Sequence, residues 1–118
     1  MLFLCYDKCS TCKKAEQWLK AQGISYTKRS ITEQPPTEEE LALWQQKSGL
    51  PLKRFFNTSG MLYRQLELKE KLPAMSEEEQ RKLLSQNGML VKRPIGVSEE
   101  LVCVGFRQGE WEGFRKKD

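Results

Sequence analysis

The 118-residue sequence contains no histidine. That absence removes imidazole general bases, Cys-His dyads and mixed Cys/His metal sites from consideration. The chain also lacks any apolar run near the ~20 residues that a membrane helix requires. Its amino terminus has no basic segment leading into a long hydrophobic stretch. A cytoplasmic location with no membrane partner is the expectation. Neither sign of charge dominates, since 20 basic and 16 acidic residues leave a formal charge of +4. They are spread along the chain apart from a short Arg115-Lys116-Lys117 tail, which is no footprint for direct nucleic-acid binding. Repeats, low-complexity tracts and linkers are missing too. Residues 1–118 therefore read as one domain, expected to be a monomer, with 31% charged and 38% hydrophobic residues to solvate a surface and fill a core.

Cysteine is scarce, with 4 in all. In a reducing compartment they make no structural disulfide framework, so a closely spaced pair points toward catalysis, redox sensing or metal. Cys9-Ser10-Thr11-Cys12 is such a pair. It follows the apolar run Leu2-Phe3-Leu4-Cys5-Tyr6, which has the character of a buried strand. From Ser10 to Gln22 the apolar residues Ala15, Trp18 and Leu19 share a helical face with Cys12, and Gly23 supplies a left-handed stop. Ile24 to Ile31 is rich in β-branched and aromatic residues and predicts a second strand. The first third is thus β-α-β.

Gln34-Pro35-Pro36 breaks the chain, and Thr37 with Glu40 forms a capping box for a helix through Leu41 and Trp44 to Gly49. Pro51 to Phe55 predicts a short helix, closed by the turn Asn57-Thr58-Ser59-Gly60. Met61 to Leu68 is expected to be helical. Ser76 and Glu79 make a second capping box, Leu83 and Leu84 supply the buried side, and Asn87-Gly88 ends that helix. Beyond Pro94, Ile95-Gly96-Val97 and Leu101 to Val104 flank polar residues as a hairpin does. Trp111 and Phe114 predict a short closing helix with its aromatic side on the sheet.

A cysteine placed after a strand and at a helix start meets unpaired N–H groups and the positive end of the helix dipole. Cys9 is therefore expected to ionise readily and attack. Cys12, inside the first turn, is within reach for a disulfide and is expected to resolve. Lys8, Lys13 and Lys14 add positive charge nearby. Two blander roles stand beside this one. Cys5, Cys9, Cys12 and Cys103 could supply four thiolates to zinc, although Cys5 lies in an apolar strand and no second Cys-x-x-Cys knuckle exists. The pair could also pack as small hydrophobes. Cys5 and Cys103 read as core, as do Trp18, Trp44 and Trp111. Arg93-Pro94 is a second constellation, where Arg93 is either a solvated charge or a planar fork for an anion or thiolate beside a cis proline.

The strand, the Cys-x-x-Cys, the lysine-rich helix start, Leu90-Val91-Lys92-Arg93-Pro94-Ile95 and Val104-Gly105-Phe106 together resemble the ArsC/Spx family of thioredoxin-fold proteins. Glu33-Gln34-Pro35-Pro36, the Phe55 to Gly60 turn and Tyr63-Arg64 extend the resemblance over nearly the whole chain. It implies an α/β thioredoxin-like fold, a four-stranded mixed sheet with a helical insertion between the β-α-β unit and the C-terminal hairpin. It further implies a catalytic Cys9 and an Arg-cis-Pro element at Arg93-Pro94. Glutaredoxin-coupled arsenate reductases of the family hold the oxyanion with three arginines, of which only Arg93 is matched here. The other two segments read Phe56-Asn57-Thr58 and Val104-Gly105-Phe106. Losing two guanidinium partners costs several kcal/mol at about 1.5–3 kcal/mol per charged hydrogen bond, so efficient arsenate reduction is not expected.

Two functions follow from the resemblance. One is a thiol–disulfide oxidoreductase or arsenate reductase-like protein with no bound cofactor, served by glutathione, glutaredoxin or thioredoxin. The other is an Spx-type redox-sensing transcriptional regulator that binds the RNA polymerase α subunit. The oxidoreductase is favoured because the chain ends soon after Trp111, without the longer basic extension associated with such regulators.

Overall fold

The computed structural model describes residues 1–115, so Lys116 and Lys117 of the basic tail lie outside the described residues. Strand β1 (Leu2–Cys5) leads into helix α1 (Ser10–Ala21) and strand β2 (Thr27–Ser30). A helical stretch follows, with α2 (Glu38–Ser48), α3 (Met61–Gln65), α4 (Leu68–Lys71) and α5 (Glu77–Gln86) joined by 3-10 turns at Leu52–Phe55, Leu72–Ala74 and Gly88–Leu90. Strands β3 (Ile95–Val97) and β4 (Val102–Val104) come next, and α6 (Gln108–Trp111) with a 3-10 turn at Glu112–Phe114 closes the described chain. The strand order is β2-β1-β3-β4. β1 pairs parallel with β2 and antiparallel with β3, and β3 pairs antiparallel with β4. This is the four-stranded mixed sheet of a thioredoxin-like fold.

Strand alternation sorts the core onto two faces. Phe3, Cys5 and Cys103 point toward α1 and the C-terminal turn, where Cys12, Ala15, Trp18, Leu19, Trp111 and Phe114 meet them. Leu4, Ile95, Val102 and Val104 point the other way, into a larger core with Leu41, Trp44, Phe55, Phe56, Tyr63, Leu84 and Val91 from the helical insertion. All three tryptophans are buried, as their spacing predicts. Trp111 sits edge-on to Phe3, Phe106 and Phe114 at centroid separations of 6.0, 5.3 and 5.3 Å. Its indole N–H donates to the Gly105 carbonyl at 2.9 Å.

Both capping boxes form. Thr37 Oγ1 accepts from Glu40 N–H at 3.0 Å and Ser76 Oγ from Glu79 N–H at 3.1 Å, while each glutamate reaches back to its cap residue's N–H at 2.9 Å. Glu40 has a second role. Arg29 on β2 grips its carboxylate with two hydrogen bonds of 2.9 Å and also donates to the Gln34 and Pro35 carbonyls, binding the Pro-Pro loop to the sheet edge.

The structure departs from the sequence expectations in two places. The helix expected from Met61 to Leu68 breaks at Glu67, whose φ of 55° is left-handed. The break lets Leu68 and Leu72 turn into the core. β2 is shorter than Ile24 to Ile31, because Ile24 and Tyr26 pack against the α1-side core instead of pairing. Asn87-Gly88 ends α5 after Gln86, as expected, and Gly88 has a further role. It is buried where a Cβ would collide with the Ile31 carbonyl, so the residue is small for the sake of a close backbone approach.

Candidate functional site

After β1 the chain turns through Tyr6, Asp7 and Lys8, and the turn is closed by Cys9 N–H donating to the Tyr6 carbonyl at 3.0 Å. Cys9 is the N-cap of α1, with extended backbone (φ −96°, ψ 122°) and no side-chain capping bond. Serine or aspartate commonly satisfies the free N–H groups at such a position. Here a sulfur stands among them, and the first turn carries no acidic residue. Cys12 lies within that turn and is buried, and its Sγ accepts a hydrogen bond from Tyr6 N–H at 3.3 Å. All four cysteines are free thiols. Among the described residues no three Cys, Asp or Glu side chains converge on a metal position.

The two sulfurs occupy opposed environments. Burial pushes the Cys9 thiol up, but the backbone N–H and thiol of Cys12, the Thr11 N–H and the Arg93 guanidinium together outweigh it, and its pKa is lowered. Burial pushes Cys12 up to about 12, with Cys9 and Cys5 adding to the rise and the Tyr6 N–H opposing it. Burial likewise raises Cys5, and it pushes Cys103 up to about 11. Cys103 is further occupied as a weak donor to the Glu110 carbonyl at 3.7 Å.

Arg93 comes from the loop before β3, across a cis peptide bond to Pro94. Its Nη1 donates to the carbonyls of Met89 at 3.0 Å and Val91 at 3.4 Å, and the guanidinium carbon lies 5.1 Å from the centre of the Tyr6 ring. Its guanidinium is also among the groups that lower the Cys9 pKa. The Pro94 carbonyl accepts from Gly105 N–H at 2.8 Å, which ties this loop to the end of β4. The fold thus brings Cys9, Cys12, Arg93 and Pro94 together. Lys8, Lys13 and Lys14, expected to assist, are solvent-exposed, and it is Arg93 and the helix N–H groups that lower the Cys9 pKa. Phe56 and Phe106 stand in the two segments without arginine, and both turn inward. Phe56 packs edge-on to Tyr63 at 6.2 Å, and Phe106 lies 6.0 Å from Trp18.

Tyr6, at the end of the apolar run Leu2 to Tyr6, is a site residue that no sequence pattern marks. Its carbonyl, amide and ring contact Cys9, Cys12 and Arg93 respectively. The available signal was its place next to the polar break, where strand alternation turns it away from the Cys5 side.

This frame can be set beside known proteins. The sequence model of the ArsC family matches residues 4–114, from within β1 to the closing aromatic turn. The chain belongs to the ArsC family. Among curated relatives of this ArsC-family protein, the uncharacterized protein YusI of Bacillus subtilis is 53% identical over 95% of each chain. The regulatory protein MgsR of the same organism is 28% identical, covering 99% of this chain and 91% of its own. An ArsC family related protein from Bacteroides fragilis superposes with a TM-score of 0.93 at 56% identity, covering 96% of this chain and 95% of the other. A possible arsenate reductase from Streptococcus mutans superposes with a TM-score of 0.84 at 42% identity, covering 91% of each. No helix among the described residues is long and apolar enough to cross a membrane.

Proposed function

We propose that this protein is a thiol–disulfide oxidoreductase in which Cys9 is the nucleophile and Cys12 the resolving thiol. The observation that carries the proposal is the contrast within one helical turn: a half-buried sulfur at the N-cap of α1, its pKa lowered, and a buried sulfur with one backbone donor, its pKa raised. The first step is attack of the Cys9 thiolate on a disulfide R–S–S–R′, which forms Cys9–S–S–R and releases R′S⁻. Loss of charge at Cys9 removes the repulsion and the hydrogen bond that help hold the Cys12 proton. Cys12 then gives up that proton and attacks the Cys9 sulfur. This makes the Cys9–Cys12 disulfide and expels RS⁻, which takes the proton. Two electrons from glutathione, glutaredoxin or thioredoxin return both thiols. Arg93 holds the Cys9 thiolate and the emerging charge, while Pro94 anchors its loop on Gly105.

Arsenate is a poorer fit, because one guanidinium faces the sulfur and the segments that would supply two more carry Phe56 and Phe106 turned into the cores. The test is reductant-coupled turnover with a small disulfide and with a glutathione mixed disulfide, using arsenate in parallel. Turnover on the disulfides that vanishes in C9S is expected. Absence of turnover with every reductant would sink the proposal. Similarity to the regulatory protein MgsR favours a second reading, a redox-sensing regulator docking on the RNA polymerase α subunit. Redox-dependent capture of that subunit by the purified protein, with no disulfide turnover, is the result that would select it.

A further inference from the structure

Tyr6 belongs to no motif of the sequence, yet it is the residue on which the two sulfurs and the guanidinium meet. Its carbonyl accepts the Cys9 N–H at 3.0 Å and its amide donates to Cys12 Sγ at 3.3 Å, so its backbone fixes the turn that presents both thiols. Its side chain has a separate task. The ring is half-buried at the rim of the insertion-side core, and the Arg93 guanidinium lies over it at 5.1 Å from the centroid. Among the described residues, the Tyr6 hydroxyl makes no hydrogen bond, so the aromatic face is what the side chain offers Arg93. The Met89 and Val91 carbonyls hold only Nη1 of that guanidinium. Those two contacts leave the fork free to pivot. A flat π-surface beneath it restricts the pivot and adds a cation–π attraction.

We infer that Tyr6 is a positioning residue whose aromatic ring holds the Arg93 guanidinium against the Cys9 sulfur. The inference rests on the thiol redox reading of the site, and it deepens that reading by naming what keeps the single arginine in place. The ionisable groups facing Cys9 are Cys12 from α1, Cys5 at the end of β1 and Arg93 from the loop before β3. Of these, only Arg93 has its position set by the Tyr6 side chain. Removing the ring should therefore act on Cys9 through Arg93 and by no other route.

The experiment is the pH profile of Cys9 alkylation by iodoacetamide in the intact protein, followed by mass, for wild type, Y6L, Y6F, R93M and the double variant Y6L/R93M. Y6L is expected to move the Cys9 midpoint upward by about half a pH unit and to slow alkylation at neutral pH about threefold. Y6F keeps the ring and is expected to restore the wild-type midpoint. R93M should shift the midpoint further, and adding Y6L to R93M should change it no more, since coupled residues do not act additively. Y6M, closer to tyrosine in length, stands in if Y6L does not fold. Shifts from Y6L of equal size with and without Arg93, or a Y6F shift as large as that of Y6L, would overturn the inference. Wild-type turnover is read separately. A protein that turns over no disulfide but shows this pattern refutes the oxidoreductase while the inference stands, and turnover with no coupling does the reverse.

Discussion

The two faces of the sheet are built from different chemistry. On the α1 side, Cys5, Cys12 and Cys103 lie within the core and Cys9 at its edge, whereas the insertion side is filled by leucine, valine, isoleucine and aromatic side chains without a cysteine. Burial raises the three core thiols, and Cys9 alone is lowered, because it alone sits where helix N–H groups and a guanidinium converge. The insertion-side core supplies no thiol, but this side carries the Met89 and Val91 carbonyls that hold Arg93. One face thus stores the thiols and the other aims the charge at them.

The sharpest way to break this division is to exchange the two sulfurs of the site. C9S should abolish disulfide turnover, while C12S should retain the first step and accumulate a mixed disulfide, seen as added mass on Cys9. A dead C12S with no adduct would place attack elsewhere. Next in size is the rate of alkylation. With Cys9 lowered below its ordinary value and Cys12 pushed up to about 12, Cys9 should be labelled far faster than Cys12 at neutral pH. Comparable rates at the two positions would erase the distinction.

Core truncations then compare the faces directly. Trp111→Ala on the α1 side should cost about 3–5 kcal/mol and Leu41→Ala on the insertion side about 2–5 kcal/mol, measured by denaturant unfolding. The first should also disturb Cys9 alkylation, since Trp111 holds Gly105 and packs Phe3 behind the cysteines. The second should leave that alkylation unchanged. Thr37→Ala removes one half of a capping box and should cost about 1 kcal/mol without touching the thiols.

The smallest effect expected is at acid pH. Arg29, with the Thr37 donors and against a burial penalty, holds the Glu40 carboxyl below its ordinary range. A depressed folded value means that the stabilisation is complete above the unfolded pKa of about 4.3 and is lost as pH falls through the folded one. E40Q should therefore flatten part of the loss of stability on the acid side while changing little at neutral pH in that slope. An unchanged acid slope would show that the Arg29 clasp contributes nothing.

Much of this was legible in the sequence where a local rule decides the outcome. Capping boxes at Thr37 and Ser76 are set by residues three apart, and both form. The hairpin around Ser98 and the β-α-β unit around Cys9 follow from alternation and from where the polar breaks fall. What escaped depends on contacts between distant segments. Gly88 sits just past a helix end, but only the Ile31 carbonyl packed against it explains why the residue is glycine. The lysines beside Cys9 look like its partners because they are close in sequence, yet Arg93, 84 positions away by number, is the cation that lowers its pKa. Tyr6 escaped for the same reason, since its ring faces a loop that no spacing rule connects to it.

The bond from the Tyr6 amide to Cys12 Sγ has a spectroscopic consequence. Sulfur is a weak acceptor, and this one changes its electron density and position whenever its proton is lost, its bond partner changes or it is alkylated. The Tyr6 amide proton therefore carries the state of Cys12 in its chemical shift and in its exchange with solvent. In an ¹⁵N-labelled sample that single resonance is a built-in gauge of the thiol pair, readable without attaching a probe to either cysteine.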